Sequence, residues 1–384
     1  MGKWPLVRLG DVGKIVTGST PRTSDRSNYS SRDICFYKPG DFDEGKLNYL
    51  DGSIDMISEN AREKVRMLPP NSVLVTCIGI IGKVGILAHE ATCNQQINAI
   101  IPNFNVDSRA LAYILLRNQA QLKEFANAPL VPIINKTTFA SIKIPLPPLD
   151  IQKHIANTLD KTQEIIDGHK KTLAEFDDLI MAVFYELFGD PINNENGWGI
   201  KTLKEISKEP LSYGSGASAV DYDGDVRYIR ITDINEDGSL NSEIVSPNVI
   251  DTKYILNDGD ILFARSGATV GKTLRFRESF GKCIYAGYLI KFVPNEEFVL
   301  PDYIYYYTKT NFYKRFIESN IKTVAQPNIN ARQYGELKIV IPPLDLQNKF
   351  AEIVTKIEEQ KALVKQAIAE SEHLFKSLMS EYFD

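Results

Sequence analysis

The sequence predicts an α+β protein in which two similar domains are separated by an antiparallel pair of long coiled-coil helices. The first observation is a repeat: Ile142–Gln152 reads IKIPLPPLDIQ and, 195 residues later, Leu337–Gln347 reads LKIVIPPLDLQ. The second observation is a long heptad pattern that follows each copy. Solenoid repeats have periods of about 20–50 residues. The much longer period here therefore indicates a duplicated domain.

Each domain is expected to contain short strands and one helical region. Gly, Asn, Asp and Pro residues separate the β-like runs, as turns between strands require. A helix-like stretch interrupts each domain at the same relative place, at residues 108–125 and 301–317. We therefore expect each domain to be α+β with a mostly non-parallel sheet. The clearest predicted strands begin at Val73, Ile97, Val226, Asp260 and Tyr288.

The segment after each repeat has apolar positions spaced alternately three and four residues apart, which is the seam of a coiled coil. Asp150 and Asp345 follow paired prolines and are expected to cap the helices. The first helix ends near Phe188, shortly before the second domain begins at Trp198, whereas the second helix starts directly from the second domain. A packed pair must therefore run antiparallel. About 38 residues at about 1.5 Å each would give a rod of roughly 57 Å.

These boundaries predict four segments: a first domain at residues 1–148, a first helix at 149–189, a second domain at 190–342 and a second helix at 343–384. The alternative for each heptad pattern is an ordinary amphipathic helix that packs on its own domain.

Composition is that of an ordinary globular protein, with 43% hydrophobic and 24% charged residues. The four cysteines show no C-x-x-C spacing and the four histidines are scattered, so neither a metal site nor a redox pair is expected. No secretory leader or long apolar run is recognisable, which predicts a cytoplasmic protein. The net charge of −5 arises mainly after the repeats, with 4 basic and 10 acidic residues in 149–197. The domains are neutral to mildly basic, so a nucleic-acid partner is compatible with the composition.

Together these features resemble the specificity (S) subunit of type I restriction-modification systems. The likeness covers essentially the whole chain and rests on the duplicated IPLPPLDIQ and IVIPPLDLQ motifs, the long helices after them, and FGDP before Trp198. GSTP from Gly18, NQQINAI from Asn94 and AQPNIN from Ala325 are further family-like stretches. The first domain has PIINK from Pro132 at the place of AQPNIN, so the Ala-Gln-Pro loop is not carried over to it.

The resemblance implies two target recognition domains, each reading one half of a split double-stranded DNA sequence. The helices would set the spacing and dock two methyltransferase subunits, and restriction subunits are expected as further partners. The chain itself is expected to need no cofactor and to be non-catalytic. The seam residues expected to bind partners are Ile166, Leu173, Phe176, Ile180, Ile357, Val364, Ile368 and Phe375. Two readers of one duplex also need a spacing that matches the helical repeat of DNA, about 34–36 Å per turn.

A stretch from Arg265 to Thr273, RSGATVGKT, superficially resembles a nucleotide-binding loop. Such a loop needs four residues between Gly and Gly-Lys-Thr, and only three separate Gly267 from Gly271. The counterpart at Lys83 in the first domain lacks the Ser or Thr that would hold magnesium. NTP binding is therefore disfavoured. Two interpretations stay open: a glycine hairpin that brings Lys83 and Lys272 near a phosphate, or a plain β-turn.

The candidate DNA contacts are amides and cations on expected loops, because Gln and Asn pair bidentately with adenine and Arg and Lys contact phosphates. Each has a plainer alternative, namely a polar strand start for the amides and a solvated loop for the arginines. Pro327 would make the loop around it rigid, whereas the tyrosine run from Tyr303 is expected to be a packed helix. The full set is Arg22, Arg26, Lys38, Lys83, Gln95, Gln96, Lys136, Arg230, Arg265, Lys272, Gln326 and Asn328.

Enzyme signatures are not found. The sequence contains no Asp/Asn-Pro-Pro-Tyr/Phe motif and no glycine fingerprint for S-adenosylmethionine, which disfavours a self-contained methyltransferase. The competing hypothesis from another class is a structural scaffold, in which two protein-binding domains are joined by a coiled-coil spacer.

Overall fold

The chain divides into two compact units, each of which combines one domain with parts of both long helices. A computed structural model describes residues 4–126, 132–321 and 327–384. The first unit comprises Met1–Lys170 together with Gln366–Asp384, and the second comprises Lys171–Lys365.

The domain of the first unit is a set of short strands with small helices beside them. Its strands are β1 (Leu6–Arg8), β2 (Gly13–Thr17), β3 (Ile34–Tyr37), β4 (Leu47–Leu50), β5 (Met56–Ile57), β6 (Val73–Thr76), β7 (Val84–Leu87), β8 (Thr92–Cys93), β9 (Ile97–Pro102) and β10 (Lys143–Pro145). Its helices are α1 (Leu9–Val12), α2 (Ser108–Arg117), α3 (Gln119–Glu124) and α4 (Lys136–Ser141). The main sheet has the order β2-β9-β6-β7-β4, a second sheet has the order β5-β3-β8, and β1 pairs with β10.

The long helix α5 (Leu149–Phe188) joins this domain to the next, whose elements repeat the same plan. Its strands are β11 (Ile200–Thr202), β12 (Ser212–Tyr213), β13 (Ala219–Asp221), β14 (Arg227–Ile229), β15 (Val245–Pro247), β16 (Ile261–Ala264), β17 (Thr273–Arg275), β18 (Cys283–Tyr285), β19 (Leu289–Phe292) and β20 (Lys338–Val340). Its helices are α6 (Pro301–Tyr307), α7 (Asn311–Ile321), α8 (Ala331–Gly335) and the long α9 (Leu344–Phe383).

The two main sheets have the same strand order, which confirms the predicted duplication. The order β12-β19-β16-β17 of the second unit corresponds to β2-β9-β6-β7 of the first. All of these pairings are antiparallel, as expected for a mostly non-parallel sheet. The predicted strands at Val73, Ile97, Val226, Asp260 and Tyr288 correspond to β6, β9, β14, β16 and β19.

Both central strands are buried at every position because both faces of each sheet are covered. Val73 and Val75 of β6 face one apolar core, and Leu74 faces another. In β16, Ile261 and Phe263 face one core, and Leu262 faces the other. Successive side chains of a strand point to opposite faces. The run of tyrosines from Tyr303 lies buried in α6, as the sequence predicts.

The long helices pack against each other in opposite directions, which confirms the antiparallel prediction. In the first unit, Ile155 near the start of α5 shares a core with Phe383 at the end of α9. In the second unit, Phe184 near the end of α5 packs on Phe350 near the start of α9, with ring centroids 5.6 Å apart. None of the described helices is long and apolar enough to cross a membrane.

The predicted N-caps are wrong. The helices begin at Leu149 and Leu344, so Asp150 and Asp345 lie within the first turn. A carboxylate in the first turn still stabilises a helix through its interaction with the positive end of the helix dipole.

Candidate nucleic-acid interface

Four loops of the first unit are joined by hydrogen bonds at one edge of the main sheet. We call them the first loop cluster: residues 18–20, 77–83, 94–96 and 132–135. The N–H of Cys77 donates to the carbonyl of Gln96 at 2.8 Å, and the N–H of Gly79 donates to that of Pro132 at 3.0 Å. The N–H of Ile134 returns to the carbonyl of Cys77 at 2.8 Å. These bonds fix the loops relative to one another.

The second unit contains the same arrangement at the same edge of its sheet. The second loop cluster comprises residues 214–218, 265–271, 286–288 and 327–330. The N–H of Arg265 donates to the carbonyl of Tyr288 and the N–H of Gly267 to that of Pro327, both at 3.1 Å. The N–H of Ile329 donates to the carbonyl of Arg265 at 2.8 Å. Bond by bond, the framework matches that of the first cluster.

A glycine is required where the first loop of each cluster leaves its strand. A Cβ atom on Gly18 would lie 2.1 Å from the carbonyl oxygen of Asn94, and one on Gly214 would lie 2.3 Å from that of Tyr285. Only a residue without a side chain permits so close an approach of two backbones. This explains why glycine occupies the same place in both halves.

A basic groove adjoins the first loop cluster. Its lining includes Lys14, Arg66 and Lys136 and, among the described residues, no carboxylate. Nη1 of Arg66 donates to the carbonyl of Thr17 at 2.7 Å, which fixes the guanidinium at the end of β2. Lys14 and Lys136 have exposed side chains. Three cations in a groove whose described lining holds no carboxylate form a surface suited to a polyanion.

The equivalent groove of the second unit is also lined by cations but contains two carboxylates. Lys204, Lys208 and Arg332 lie beside Glu209 and Glu336. Nζ of Lys204 is 2.6 Å from a carboxylate oxygen of Glu336, so that pair is neutral. Lys208 lies at the place that corresponds to Lys14, and Arg332 lies one position beyond Ala331, the counterpart of Lys136. Together they outweigh the remaining charge of Glu209, so the groove keeps a net positive charge.

Arg265 and Asn328 are brought together in the second loop cluster. Nε of Arg265 donates to Oδ1 of Asn328 at 3.2 Å, and the guanidinium lies over the ring of Tyr213, 4.7 Å from its centroid. The Tyr213 hydroxyl accepts the N–H of Ala331 at 3.0 Å, which holds the ring in place. Gln326, the other candidate in this loop, lies outside the described residues.

The amides of the first loop cluster are partly paired. Gln95 is exposed, and its Oε1 accepts the hydroxyl of Thr20 at 2.5 Å. Oε1 of Gln96 accepts from Nδ2 of Asn94 at 2.8 Å, inside the loop. Arg22 and Arg26 are exposed on the segment that follows residues 18–20.

The two hairpin lysines already bind protein groups. Nζ of Lys83 donates to the carbonyl of Phe42 at 2.5 Å, and Nζ of Lys272 donates to that of Ile234 at 3.3 Å. Lys272 also pairs with Glu236 at 2.9 Å. Both lysines therefore hold an adjacent turn against the hairpin. Their phosphate contact stays a prediction, and it would require these bonds to be exchanged.

Lys38 and Arg230 occupy equivalent turns and are both paired with carboxylates. Nζ of Lys38 lies 2.8 Å from Asp55. Nη2 of Arg230 lies 2.7 Å from Asp233 and 3.1 Å from Glu243. Hydrogen bonding to Asp233 raises the pKa of Arg230 further above its ordinary value. A role in binding DNA is a prediction for both, and their present contacts stabilise the turns.

The seam residues named for partner binding are mostly covered by the chain itself. Ile166 is 3% exposed, Ile180 is 0% and Ile357 is 8%. Leu173, Phe176, Val364, Ile368 and Phe375 are partly buried. These residues stabilise the helix pair. The apolar side chains that face outward are others, among them Leu179 (46% exposed) and Leu374 (52% exposed), which are equivalent positions of the repeat.

A carboxylate on each long helix fastens the adjacent domain. Oδ1 of Asp160 on α5 accepts the hydroxyl of Tyr113 at 2.7 Å and that of Tyr49 at 2.8 Å, and its Oδ2 accepts from Arg109 at 2.8 Å. In the second unit, Glu358 on α9 accepts the hydroxyl of Tyr306 at 3.2 Å. Burial, followed by the bond to Asp160, raises the pKa of Tyr113 well above its ordinary value.

Sequence reasoning missed Arg66 and the contact of Tyr213 with Arg265. Arg66 lies in an irregular segment without a motif, so no sequence signal marks it. Tyr213 precedes Gly214, and its equivalence to Thr17 before Gly18 would have placed it beside the loops.

Comparison with known proteins agrees with this architecture. A family model for the type I restriction modification DNA specificity domain matches residues 1–176 and 195–373. The specificity subunit of the type I restriction enzyme MjaIX of Methanocaldococcus jannaschii is 24% identical over 382 residues, with 93% of this chain and 87% of that protein covered.

Two solved structures share the fold. The type I restriction-modification S subunit from M. genitalium has a TM-score of 0.61 at 16% identity, with 100% of this chain and 96% of that chain covered. A chain from a study of complex assembly and conformational transition in the type I system has a TM-score of 0.58 at 16% identity, with 99% and 97% covered. The chain belongs to the type I restriction-modification DNA specificity family, with one specificity domain in each half.

Proposed function

We propose that this chain is the DNA-reading subunit of a type I restriction-modification complex, in which each domain reads one half of a bipartite site. The observation that carries the proposal is the recurrence of one loop cluster, with a basic groove beside it, in both domains. The domains would be residues 1–148 and 190–342, and the helical segments 149–189 and 343–384 would set the distance between the half-sites.

The charge distribution supports DNA as the ligand. Duplex DNA carries one negative charge per about 1.7 Å of its axis, and Lys14, Arg66 and Lys136 form a groove with no described carboxylate. Amide and guanidinium groups on the adjacent loops can donate to base edges. Cations would thus position the duplex, while the loops would select the sequence.

The helices are proposed to dock two methyltransferase subunits, which would supply the catalysis. Leu179 and Leu374 support this because they are equivalent by the repeat and expose apolar surface. Two like surfaces suit two copies of one partner. Restriction subunits would join the same complex.

A binding assay with random-sequence duplexes tests the DNA role. The full chain with its methyltransferase should bind with a steep salt dependence, and replacing Lys14 and Lys136 by Gln should lower the slope of log K against log salt by about 2. The matched control replaces Lys161 by Gln on the exposed side of α5. Binding that does not change with salt would instead support a scaffold of two protein-binding domains.

Methylome sequencing tests the independence of the halves. A chimaera that carries residues 1–148 of a relative should methylate a motif altered in one half only. A motif altered in both halves would contradict one reader per half-site.

Point substitutions test docking better than truncation does. Removing α9 would open the first core, because Met379 and Phe383 belong to it. Leu179→Asp combined with Leu374→Asp should abolish co-purification of the methyltransferase without changing thermal stability. Lys161→Asp is the control, and retention of the methyltransferase by the double variant would exclude this surface.

A further inference from the structure

The two loop clusters share one framework but present different side chains. Arg265 occupies the position of Cys77 because the two residues make the same pair of backbone hydrogen bonds. The N–H of Cys77 donates to Gln96 and its carbonyl accepts from Ile134, and the N–H of Arg265 donates to Tyr288 and its carbonyl accepts from Ile329. Asn328 likewise corresponds to Ile133, and Tyr213 to Thr17. Cys77 is buried, with 2% of its surface exposed, and its side chain is not a cation. Arg265, Asn328 and Tyr213 of the second cluster therefore have no chemically similar counterparts in the first.

Arg265 is oriented by neutral groups. The Tyr213 ring lies against its face, and Asn328 accepts from Nε. Among the residues that the structure describes, neither Nη atom has a hydrogen-bond or ion-pair partner. The ring contact and the bond to the amide restrict the orientation of the guanidinium, and both leave its two terminal N–H₂ groups without a hydrogen bond to these neighbours.

Two other arginines of this domain are paired with carboxylates. Arg230 pairs with Asp233 and Glu243, and Arg275 pairs with Asp302 at 3.0 Å. A carboxylate competes for the same donors that a base would use. Arg265 thus combines a restricted orientation with terminal donors that no residue in the described part of the chain engages.

We propose that Arg265 determines specificity by donating two hydrogen bonds from its terminal nitrogens to O6 and N7 of a guanine in the major groove. This rests on the proposed DNA-reading function and goes beyond it by naming the base. A planar pair of donors matches the two acceptors of guanine, and this is the commonest specific arginine contact with DNA. A phosphate contact needs charge but no fixed plane.

The internal comparison adds a second part to the proposal. Because Cys77 and Ile133 stand at the equivalent places, the first domain cannot use this contact, so the two half-sites are read by different chemistry. Arg265 should affect the half-site of the second domain alone.

The test compares Arg265→Ala with Arg332→Ala in the full complex with its methyltransferase. The wild-type motif is read by methylome sequencing, and the half assigned to residues 190–342 should contain a G·C pair. Arg265→Ala should relax discrimination at one base pair of that half by roughly 5- to 150-fold. Arg332→Ala, which removes a groove cation, should weaken binding to all sequences and leave the motif unchanged.

Duplexes with 7-deazaguanine supply a readout that does not depend on the folding of a variant. Loss of N7 at the critical guanine should weaken binding by wild-type protein and have little effect on Arg265→Ala. A second half-site without a G·C pair, or an equal effect of 7-deazaguanine on both proteins, would overturn the assignment. Either outcome would overturn the role of Arg265 alone, because the complex would still bind DNA in a salt-dependent way and methylate a specific sequence. If the proposed DNA-reading function itself were wrong, that binding and methylation would be lost.

Discussion

Gln152 binds the backbone of Asp107 across 45 positions of sequence. Its Oε1 accepts the N–H of Asp107 at 2.9 Å, and its Nε2 donates to the carbonyl of Pro147 at 2.8 Å. Gln347 does the same in the other half: Oε1 accepts the N–H of Leu300 at 2.8 Å, and Nε2 donates to the carbonyl of Pro342 at 2.9 Å. The last residue of each repeated motif thus ties the start of a long helix to the start of a helix in its domain.

Gln152→Ala is expected to destabilise the first unit by about 2–4 kcal/mol, because it leaves a half-buried N–H and a buried carbonyl without their partner. Urea unfolding measures the loss. Lys153→Ala, at an exposed position one residue further on, is the control. Equal unfolding midpoints for the two variants would show that the amide is dispensable.

Asp160→Ala is expected to lower stability by about 2–3 kcal/mol, since the buried Tyr113 hydroxyl loses its acceptor and Arg109 loses the nearer of its two carboxylate partners. Thermal unfolding gives the size of the effect. Asp167→Ala changes an exposed carboxylate of the same helix and should have almost no effect. A shift that is no larger for Asp160→Ala than for Asp167→Ala would contradict the bracing role.

Gly214→Ala is expected to disrupt the second loop cluster, because a Cβ atom would lie 2.3 Å from one carbonyl oxygen and 2.4 Å from the next. Overpacking of this kind costs about 1–3 kcal/mol, and DNA binding should fall with it. Gly216→Ala in the same loop meets nothing within 4 Å and should leave both properties unchanged. Wild-type behaviour of Gly214→Ala would refute the close-approach explanation.

Lys309 is expected to make stability depend on alkaline pH. Burial lowers the pKa of its amine to about 8 from an ordinary 10.5, against the opposing effect of Asp237, Glu236 and Asp177. The unfolded chain therefore holds more protons between about pH 8 and 10.5, so this residue makes stability rise with pH in that window. Below pH 8 the amine is charged in the folded protein, and the full free-energy cost of burying that charge lowers the stability.

Lys309→Met should accordingly stabilise the protein at pH 7 by about 1–2 kcal/mol, a value reduced for screening by water. It should also flatten the rise in stability between pH 8 and 10.5. Urea midpoints at pH 7, 8.5 and 10 provide the measurement, with the exposed Lys314→Met as control. A destabilised Lys309→Met variant at pH 7 would show that contact with the Tyr305 ring outweighs the cost of burial.

The repeat and the heptad spacing were sufficient to predict the duplicated α+β domains and the antiparallel helices. Both patterns are made of apolar positions, and apolar side chains are the ones that a folded protein buries. The role of Gln152 in fastening the long helix could not be predicted from these patterns, since its partner Asp107 is distant in sequence and binds through its backbone N–H. The sequence also identifies lysines and arginines but does not show which protein groups they bind in the folded chain. Lys83 and Arg230 prove to be bound by protein groups, whereas Arg66 had no motif to mark it and the contact of Tyr213 with Arg265 joins positions far apart in sequence.

The packing of α9 has a consequence for biosynthesis. Met379 and Phe383 fill the core of the first unit, and Trp4 donates to the carbonyl of Tyr382 at 2.7 Å. The second unit, Lys171–Lys365, is contiguous in sequence, whereas the first also needs Gln366–Asp384, which are synthesised after the whole of the second unit. The unit whose synthesis starts first is therefore completed after the other, and until Met379 and Phe383 have been synthesised its apolar core must be covered by other means.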